Sequence, residues 1–296
     1  MHIHHILIAV IAAALWGSIY ISATYALREF PPIFFTGLRF LLLVVLLFAF
    51  LRVERSKIRP LVELGLVMGV GAYFCFYMSL SIADSISAIA IYSRLEVPFA
   101  IIMGCIILGE KIGYRRILGI TIAMDGALII GFDPAAFDDI PALIWVTMSA
   151  GCGAFGVIRI RKLKGMHPLT TVVWVSTIAA PGLILCSFVF ESGHFEAITE
   201  ASWESWSMLV YTAIASSVVA NCGQYYLLNR YPVYMVVPFT LLSPVFAIIG
   251  GVWLLGDQLT PWLLVGGAMI LGGIGWIYFR EFTQTRHQAV SVKNPT

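Results

Sequence analysis

Long apolar runs dominate the chain, broken at regular intervals by short polar, glycine- or proline-bearing segments. A bilayer core about 30 Å thick is crossed by about 20 helical residues. Measured with that ruler, the runs predict ten spans, at about 4–26, 32–51, 61–82, 86–108, 113–131, 141–159, 169–190, 206–228, 233–255 and 261–280. The breaks carry helix-ending chemistry: Pro31-Pro32, the Arg52–Pro60 run, Asp84, Gly109-Glu110, Asp133-Pro134, the Arg159–Gly165 run, the glutamate-bearing stretch 191–204, Asn229-Arg230 and Gly256-Asp257. No connection is long enough for a soluble domain. The first run is read as a retained span and not as a cleaved signal. Histidines stand where a signal has its Lys/Arg cluster, and the run is long enough to cross.

Composition agrees with the pattern. Of 296 residues, 60% are hydrophobic and 11% charged. Soluble domains carry about 25% charged residues, so a soluble globule, a disordered chain and a nucleic-acid binder are excluded. Net charge is only +2, but its placement is informative. With both termini cytoplasmic, 15 of the 18 Lys and Arg fall in the inner loops and tail, Arg28 alone falls outside, and Arg39 and Arg94 lie within spans. That asymmetry over short loops orients the chain. Five cysteines all lie in apolar stretches without a CxxC pair, and no HExxH, GxSxG, Walker or EF-hand pattern appears. No catalytic residues, metal or cofactor are expected.

The chain repeats itself. Phe99-Ala100-Ile101-Ile102 returns as Phe246-Ala247-Ile248-Ile249, an offset of 147 residues. At the same offset Gly104 maps on Gly251, Leu108 on Leu255, Gly109-Glu110 on Gly256-Asp257, Gly119 on Gly266 and Gly126 on Gly273. Each half then holds five spans. Five is odd, so the second half enters the membrane inverted, which points to a transporter with its site near the midplane between the halves.

Several of these residues form a familiar set: Leu15-Trp16-Gly17, Pro31-Pro32 followed by Gly37-Leu38-Arg39-Phe40, Leu108-Gly109-Glu110, Leu228-Asn229-Arg230-Tyr231, Val237-Pro238, Leu241–Val245 and Leu255–Leu259. On them the chain resembles the EamA family of the drug/metabolite transporter superfamily, and most of all its bacterial amino-acid-metabolite exporters of the O-acetylserine/cysteine type. The resemblance covers about residues 8–280. It implies an all-α polytopic protein of the bacterial inner membrane, with ten transmembrane helices as two inverted five-helix repeats. These are residues 1–132 and 138–282, followed by a cytoplasmic tail, 283–296. It also implies a central cavity lined by spans 1, 3, 4, 6, 8 and 9, with spans 5 and 10 peripheral. Span 4 departs from that type by its charged Tyr92-Ser93-Arg94-Leu95-Glu96, so cargo identity does not carry over.

Charges within spans are costly, and four are clear: Arg39, Arg94, Glu96 and Asp125. On an α-helix Tyr92 and Glu96 share a face, while Arg94 sits about 200° from Tyr92. One simple arrangement points Tyr92 and Glu96 into the cavity and Arg94 toward Asp125. Glu96 is read either as a cargo or proton site or as half of a structural pair. Arg39 either holds a cargo carboxylate or anchors carbonyls between helices. Trp16 and Tyr20, Tyr73 and Tyr77, and the series Ser217, Asn221, Gln224, Tyr225 each follow helical spacing and complete the candidate substrate-binding set. Asn and Gln there also serve as helix glue in the alternative reading. Gly266, Gly267, Gly272, Gly273 and Gly275 make span 10 a close-packing helix, expected against span 9. Pro98 and Pro244 interrupt spans 4 and 9 within a residue of each other in the repeat frame, as candidate hinges.

The expectation is a secondary transporter exporting amino acids or related small metabolites by alternating access, with the bilayer and a small-molecule cargo as partners and no nucleic acid. A proton is a candidate co-substrate, and monomer versus homodimer stays open. The rivals are the same fold with a drug, nucleobase or sugar-derivative cargo and, more remotely, a membrane-embedded enzyme or sensor.

Overall fold

A computed structural model describes residues 2–51, 55–109, 113–133, 139–163, 166–228, 230–231 and 233–293. The described residues are helical apart from short connections. In chain order, α1 is Ile3–Ala26, α2 is Pro32–Leu47 with a 3₁₀ turn to Phe50, and α3 joins Arg55–Leu64, Gly65–Ala72 and Tyr73–Ile82. Helix α4 joins Ile86–Tyr92, Ser93–Leu95 and Glu96–Leu108, α5 is Tyr114–Gly131, α6 is Ile140–Lys162 and α7 is Pro168–Phe190. Helix α8 (203–228) and α9 (233–255) are likewise composite, and α10 is Pro261–Lys293. A short helix, His194–Glu200, lies between α7 and α8. Among the described residues six stretches, in α1, α2, α3, α4, α6 and α7, are long and apolar enough to cross a membrane, and Phe239–Leu255 and Pro261–Ile277 are shorter apolar helices. The chain is a polytopic helical membrane protein. Among the loop residues invoked above, Arg52, Glu110, Pro134, Lys164 and Asn229 lie outside the described residues.

Local chemistry sets the helix ends. Pro32, Pro168 and Pro261 open their helices, where a missing N–H costs nothing. Ser85 and Ser202 cap α4 and α8 by accepting from Ala88 N and Ser205 N. Gly109 and Gly256 end α4 and α9 with φ of 68° and 80°, a conformation that L side chains resist.

The 147-residue offset is visible in the backbone. Wide π-type turns run over Gly65–Ala72 in α3 and Thr212–Ala220 in α8, and the left-handed Gly109 and Gly256 sit one offset apart. Helices α5 and α10 cross antiparallel at two glycine contacts. A Cβ at Gly119 would stand 2.9 Å from the Gly273 carbonyl, and one at Gly126 would stand 2.6 Å from the Gly266 carbonyl. Under the offset Gly119 becomes Gly266 and Gly273 becomes Gly126, so each crossing maps onto the other. This corrects the expected partner of span 10. Gly266 and Gly273 pack on α5, Gly267 packs on Ile91 of α4, and Gly272 and Gly275 face open space. Close packing followed the small residues facing it on α5, which spacing along α10 alone does not reveal. The other neighbours obey the same exchange: α1 packs on α9 as α4 packs on α6, and α2 packs on α7.

Acidic side chains tie one end of the bundle shut by accepting from backbone N–H groups at helix N-termini, where the helix dipole favours negative charge. Glu191 accepts from Ile33 N (2.8 Å) and Phe34 N (3.0 Å) at the start of α2. Asp139 accepts from Asp84 N (2.7 Å) and Ser85 N (3.0 Å) before α4, and Asp257 accepts from Ser87 N (2.7 Å) within its first turn. Glu29 accepts from Ser202 N (2.7 Å) and Oγ (2.9 Å) before α8, and Asp133 accepts from Thr260 Oγ1. The Ser202 N–H holds the Glu29 carboxyl below its ordinary 4.5. Burial pushes Asp139 above its ordinary 3.8, against the pull of the Asp84 and Ser85 N–H groups. Phe30, Phe35 and Tyr77 pack in the core beneath these caps.

Candidate functional site

A cavity of about 670 Å³ lies among α1, α2, α3, α4, α6, α8, α9 and α10. A larger recess, about 760 Å³, lies at the acid-capped end between the 27–32 and 190–201 connections. It holds Glu29, Glu191, Glu196 and Glu200 against Arg28 alone, and lies at a surface rather than among the helices. The central cavity carries the chemistry.

Span 4 shapes the cavity wall through its 3₁₀ turn, Ser93–Leu95. Such a turn advances about 120° per residue, against about 100° in an α-helix. Over four residues the extra rotation carries Glu96 away from the face of Tyr92. Tyr92 is therefore not a cavity residue: it is buried, and its hydroxyl donates to the Ala127 carbonyl on α5. Arg94 lines the cavity with Glu96 and does not reach across to Asp125. Asp125 is exposed on α5. Among the described residues no ion pair joins Arg94 to Glu96 or to Asp125. Glu96 packs over α6, where a Cβ at Gly153 would meet its Cδ and Oε2 at 3.0 Å.

Arg39 enters the wall from α2 and is 2% exposed. Its Nη2 donates to Ser216 Oγ (3.0 Å) and Ser217 Oγ (2.6 Å), two consecutive hydroxyls that the wide turn of α8 presents together. Its guanidinium lies 5.5 Å from the ring centroids of Phe40 and Tyr73. Its Nε and Nη1 make no well-formed hydrogen bond, nor does the buried Ser243 hydroxyl, while the Tyr77 hydroxyl lies beside the guanidinium. All four atoms belong to residues of the same cavity wall.

Trp16, Tyr20, Tyr73, Tyr77, Ser217, Asn221 and Gln224 also line the cavity. The Tyr20 and Ser93 hydroxyls share a 2.7 Å hydrogen bond between α1 and α4, and Asn221 Nδ2 donates to the Ser217 carbonyl at 3.0 Å. The Tyr225 side chain lies outside the described residues. Pro98 and Pro244 are buried, each shortly after a 3₁₀ turn. Sequence reasoning missed Ser93, Ser149, Gly153, Ser216, Thr240 and Ser243 as wall residues. Only two carried a signal: Ser216 adjoins Ser217, and Ser243 is the repeat counterpart of Glu96.

A family profile described as the EamA-like transporter family matches residues 4–132 and 140–279. A Salmonella typhimurium protein named "Probable amino-acid metabolite efflux pump" is 22% identical over 90% of this chain and 92% of its own. An Escherichia coli K12 protein of the same name is 23% identical over 96% and 97%. The Bacillus subtilis "Uncharacterized transporter YoaV" is 22% identical over 96% and 99%. A solved crystal structure superposes with a TM-score of 0.63 over 93% of this chain and 96% of that one at 18% identity, a likeness of fold.

Proposed function

The chain belongs to the EamA-like transporter family, and on that premise we propose that it exports amino acids or related small metabolites across a bacterial inner membrane by alternating access. Family and relatives are transporters and not enzymes. The observation that carries the reading is a cavity deep among the helices whose wall holds Arg39, Arg94 and Glu96 with hydroxyl and amide groups. Charges at that depth are costly, and those a chain retains facing a cavity mark substrate or ion pathways.

In this reading ten spans form two inverted repeats, 1–132 and 138–282, with the tail 283–296 and both termini in the cytoplasm. The mutual mapping of the Gly119–Gly273 and Gly126–Gly266 crossings supports the inversion. The acid-capped end then faces outward. Trp16, Tyr20, Tyr73, Tyr77, Ser217, Asn221 and Gln224 contact cargo, and Tyr225 extends that stripe. Glu96 engages cargo or a coupled proton. Pro98 and Pro244 bend the helices that open and close the cavity.

The test is export. The chain and its Glu96→Gln variant are overexpressed in a bacterium, and amino acids and related metabolites are quantified in the medium. One excreted class, lost with the variant, supports the reading. An unchanged medium with protein in the membrane counts against it. A C-terminal reporter active only in the cytoplasm tests the orientation.

A further inference from the structure

Three charged side chains line the cavity, Arg39, Arg94 and Glu96, and of these only Arg39 is fully withdrawn from solvent. A guanidinium carries five N–H donors and never gives up its charge in a protein. The Nη2 group is occupied by Ser216 and Ser217. The Nε and Nη1 donors are unfilled, as is the Ser243 hydroxyl of the same wall. The Tyr77 hydroxyl lies beside the Arg39 guanidinium in that wall. Buried polar groups are ordinarily paired, and the unfilled Nε and Nη1 donors of a buried guanidinium in a cavity wall suit a carboxylate, which accepts two parallel N–H bonds. Neutral hydroxyls and aromatic faces satisfy the shape of Arg39 but leave its charge uncompensated. Among the described residues no carboxylate pairs with it.

The balance of the wall fixes the sign of that ligand. With Glu96 ionised the three side chains leave one positive charge, and with Glu96 protonated they leave two. Either state is brought closer to neutral by an anion and worsened by a cation. A zwitterion leaves the excess where it was. We propose that the cargo is an organic carboxylate of net negative charge, such as a dicarboxylic or N-acylated amino acid, with one carboxylate seated on Nε and Nη1 of Arg39. This rests on the exporter reading and narrows it, since a simple zwitterionic amino acid or a cationic drug does not meet the charge requirement.

The experiment uses the full chain in proteoliposomes and compares pairs that differ in one charge: glutamate with glutamine, aspartate with asparagine, and N-acetylphenylalanine with phenylalanine, with lysine as the cation. At least one anion should move about tenfold or more faster at low concentration than its uncharged-side-chain or free-amine partner. Arg39→Gln should erase that difference, and Arg39→Lys should keep part of it. The wild-type comparison needs no variant to fold. A neutral partner or lysine moving as well as the anions overturns the proposal and leaves the exporter reading standing. Movement of none of the seven counts against the exporter reading itself. Melting of the wild type in nanodiscs is measured alongside, with sodium chloride or with each sodium carboxylate at equal sodium. Stabilisation by chloride alone gives Arg39 to an inorganic co-ion and also overturns the proposal.

Discussion

The Glu96 carboxyl group rests against the backbone of Gly153, where a Cβ would stand 3.0 Å from both its Cδ and its Oε2. That spacing is tighter than ordinary contact, yet the crowding group is the end of a flexible side chain. Gly153→Ala should therefore leave the melting temperature almost unchanged, within about 0.5 kcal/mol, and move the carboxylate by a few tenths of an ångström. Transport should fall with Gly153→Ala alone and show no further loss when Glu96→Gln is added, because both changes act on one group. Independent, additive losses would separate Gly153 from Glu96.

The crossing of α5 and α10 makes a sharper stability prediction. A Cβ at Gly266 would lie 2.5 Å from the Gly126 carbonyl and 2.5 Å from Ile130 Cγ1, whereas one at Gly272 meets nothing within 4 Å. Backbone cannot give way as a side-chain tip does. Gly266→Ala should cost about 1–3 kcal/mol or more. Gly272→Ala should be neutral or stabilising by up to about 1 kcal/mol through helix preference. Thermal melts in detergent check both. Equal effects at the two sites would mean that the crossing is not this close.

Much of this architecture was legible in the chain. The apolar runs locate the helices, and the 147-residue offset anticipates the pairs Gly109 with Gly256 and Gly119 with Gly266, because backbone-determining glycines repeat where the backbone does. Rotation about helix axes was not legible. Reading span 4 at 100° per residue placed Tyr92 beside Glu96, and the 3₁₀ turn at Ser93–Leu95 moved it to α5. The pairing of Arg39 with Ser216 and Ser217 depends on a wide turn in α8 that no residue pattern announces. The glycines of α10 showed that a close approach exists, but the partner is set by Gly119 and Gly126 on another helix.

Tyr92 tests that correction. Its buried hydroxyl donates to the Ala127 carbonyl and lies outside the cavity wall. Tyr92→Phe should lower stability by about 1 kcal/mol, the net worth of a hydrogen bond, with cargo affinity intact. Tyr77→Phe removes a hydroxyl from the cavity wall beside Arg39, so it should weaken cargo binding while costing no more than about 1 kcal/mol of stability. A weakened affinity in Tyr92→Phe would return Tyr92 to the cavity.

Acid should loosen the Glu29 clasp. The Ser202 N–H and hydroxyl stabilise the ionised carboxylate and hold its proton affinity below the ordinary 4.5. A group with a lowered folded-state value contributes stability above the unfolded value and loses it as pH falls through the folded one. Glu29→Gln should therefore melt lower than the wild type at pH 7, with the gap constant down to about pH 5 and closing below about 4.5. Asp139, pushed up by burial, has the opposite sign, its contribution falling as pH rises. The difference between wild type and Glu29→Gln, rather than the wild-type curve alone, isolates Glu29.

Pro98 and Pro244 bear on how the cavity opens. A proline inside a helix offers no N–H to the carbonyl four residues back. Here those carbonyls belong to Arg94 and Thr240, both in 3₁₀ turns that border the cavity. Each proline therefore leaves out one rung of the helical hydrogen-bond ladder beside the cavity, at nearly matching places in the two halves. Alanine restores the donor and favours a straight helix by up to about 3 kcal/mol. Spread unequally over the conformations of a transport cycle, a fraction of that energy is enough to slow exchange about fivefold. Pro98→Ala and Pro244→Ala should each lower the initial transport rate by that order while equilibrium cargo binding changes little. Initial rates and binding isotherms in proteoliposomes distinguish the cases. Unchanged rates in both variants would remove the prolines from the opening mechanism, and a shared loss of affinity would make them structural supports of the binding wall instead.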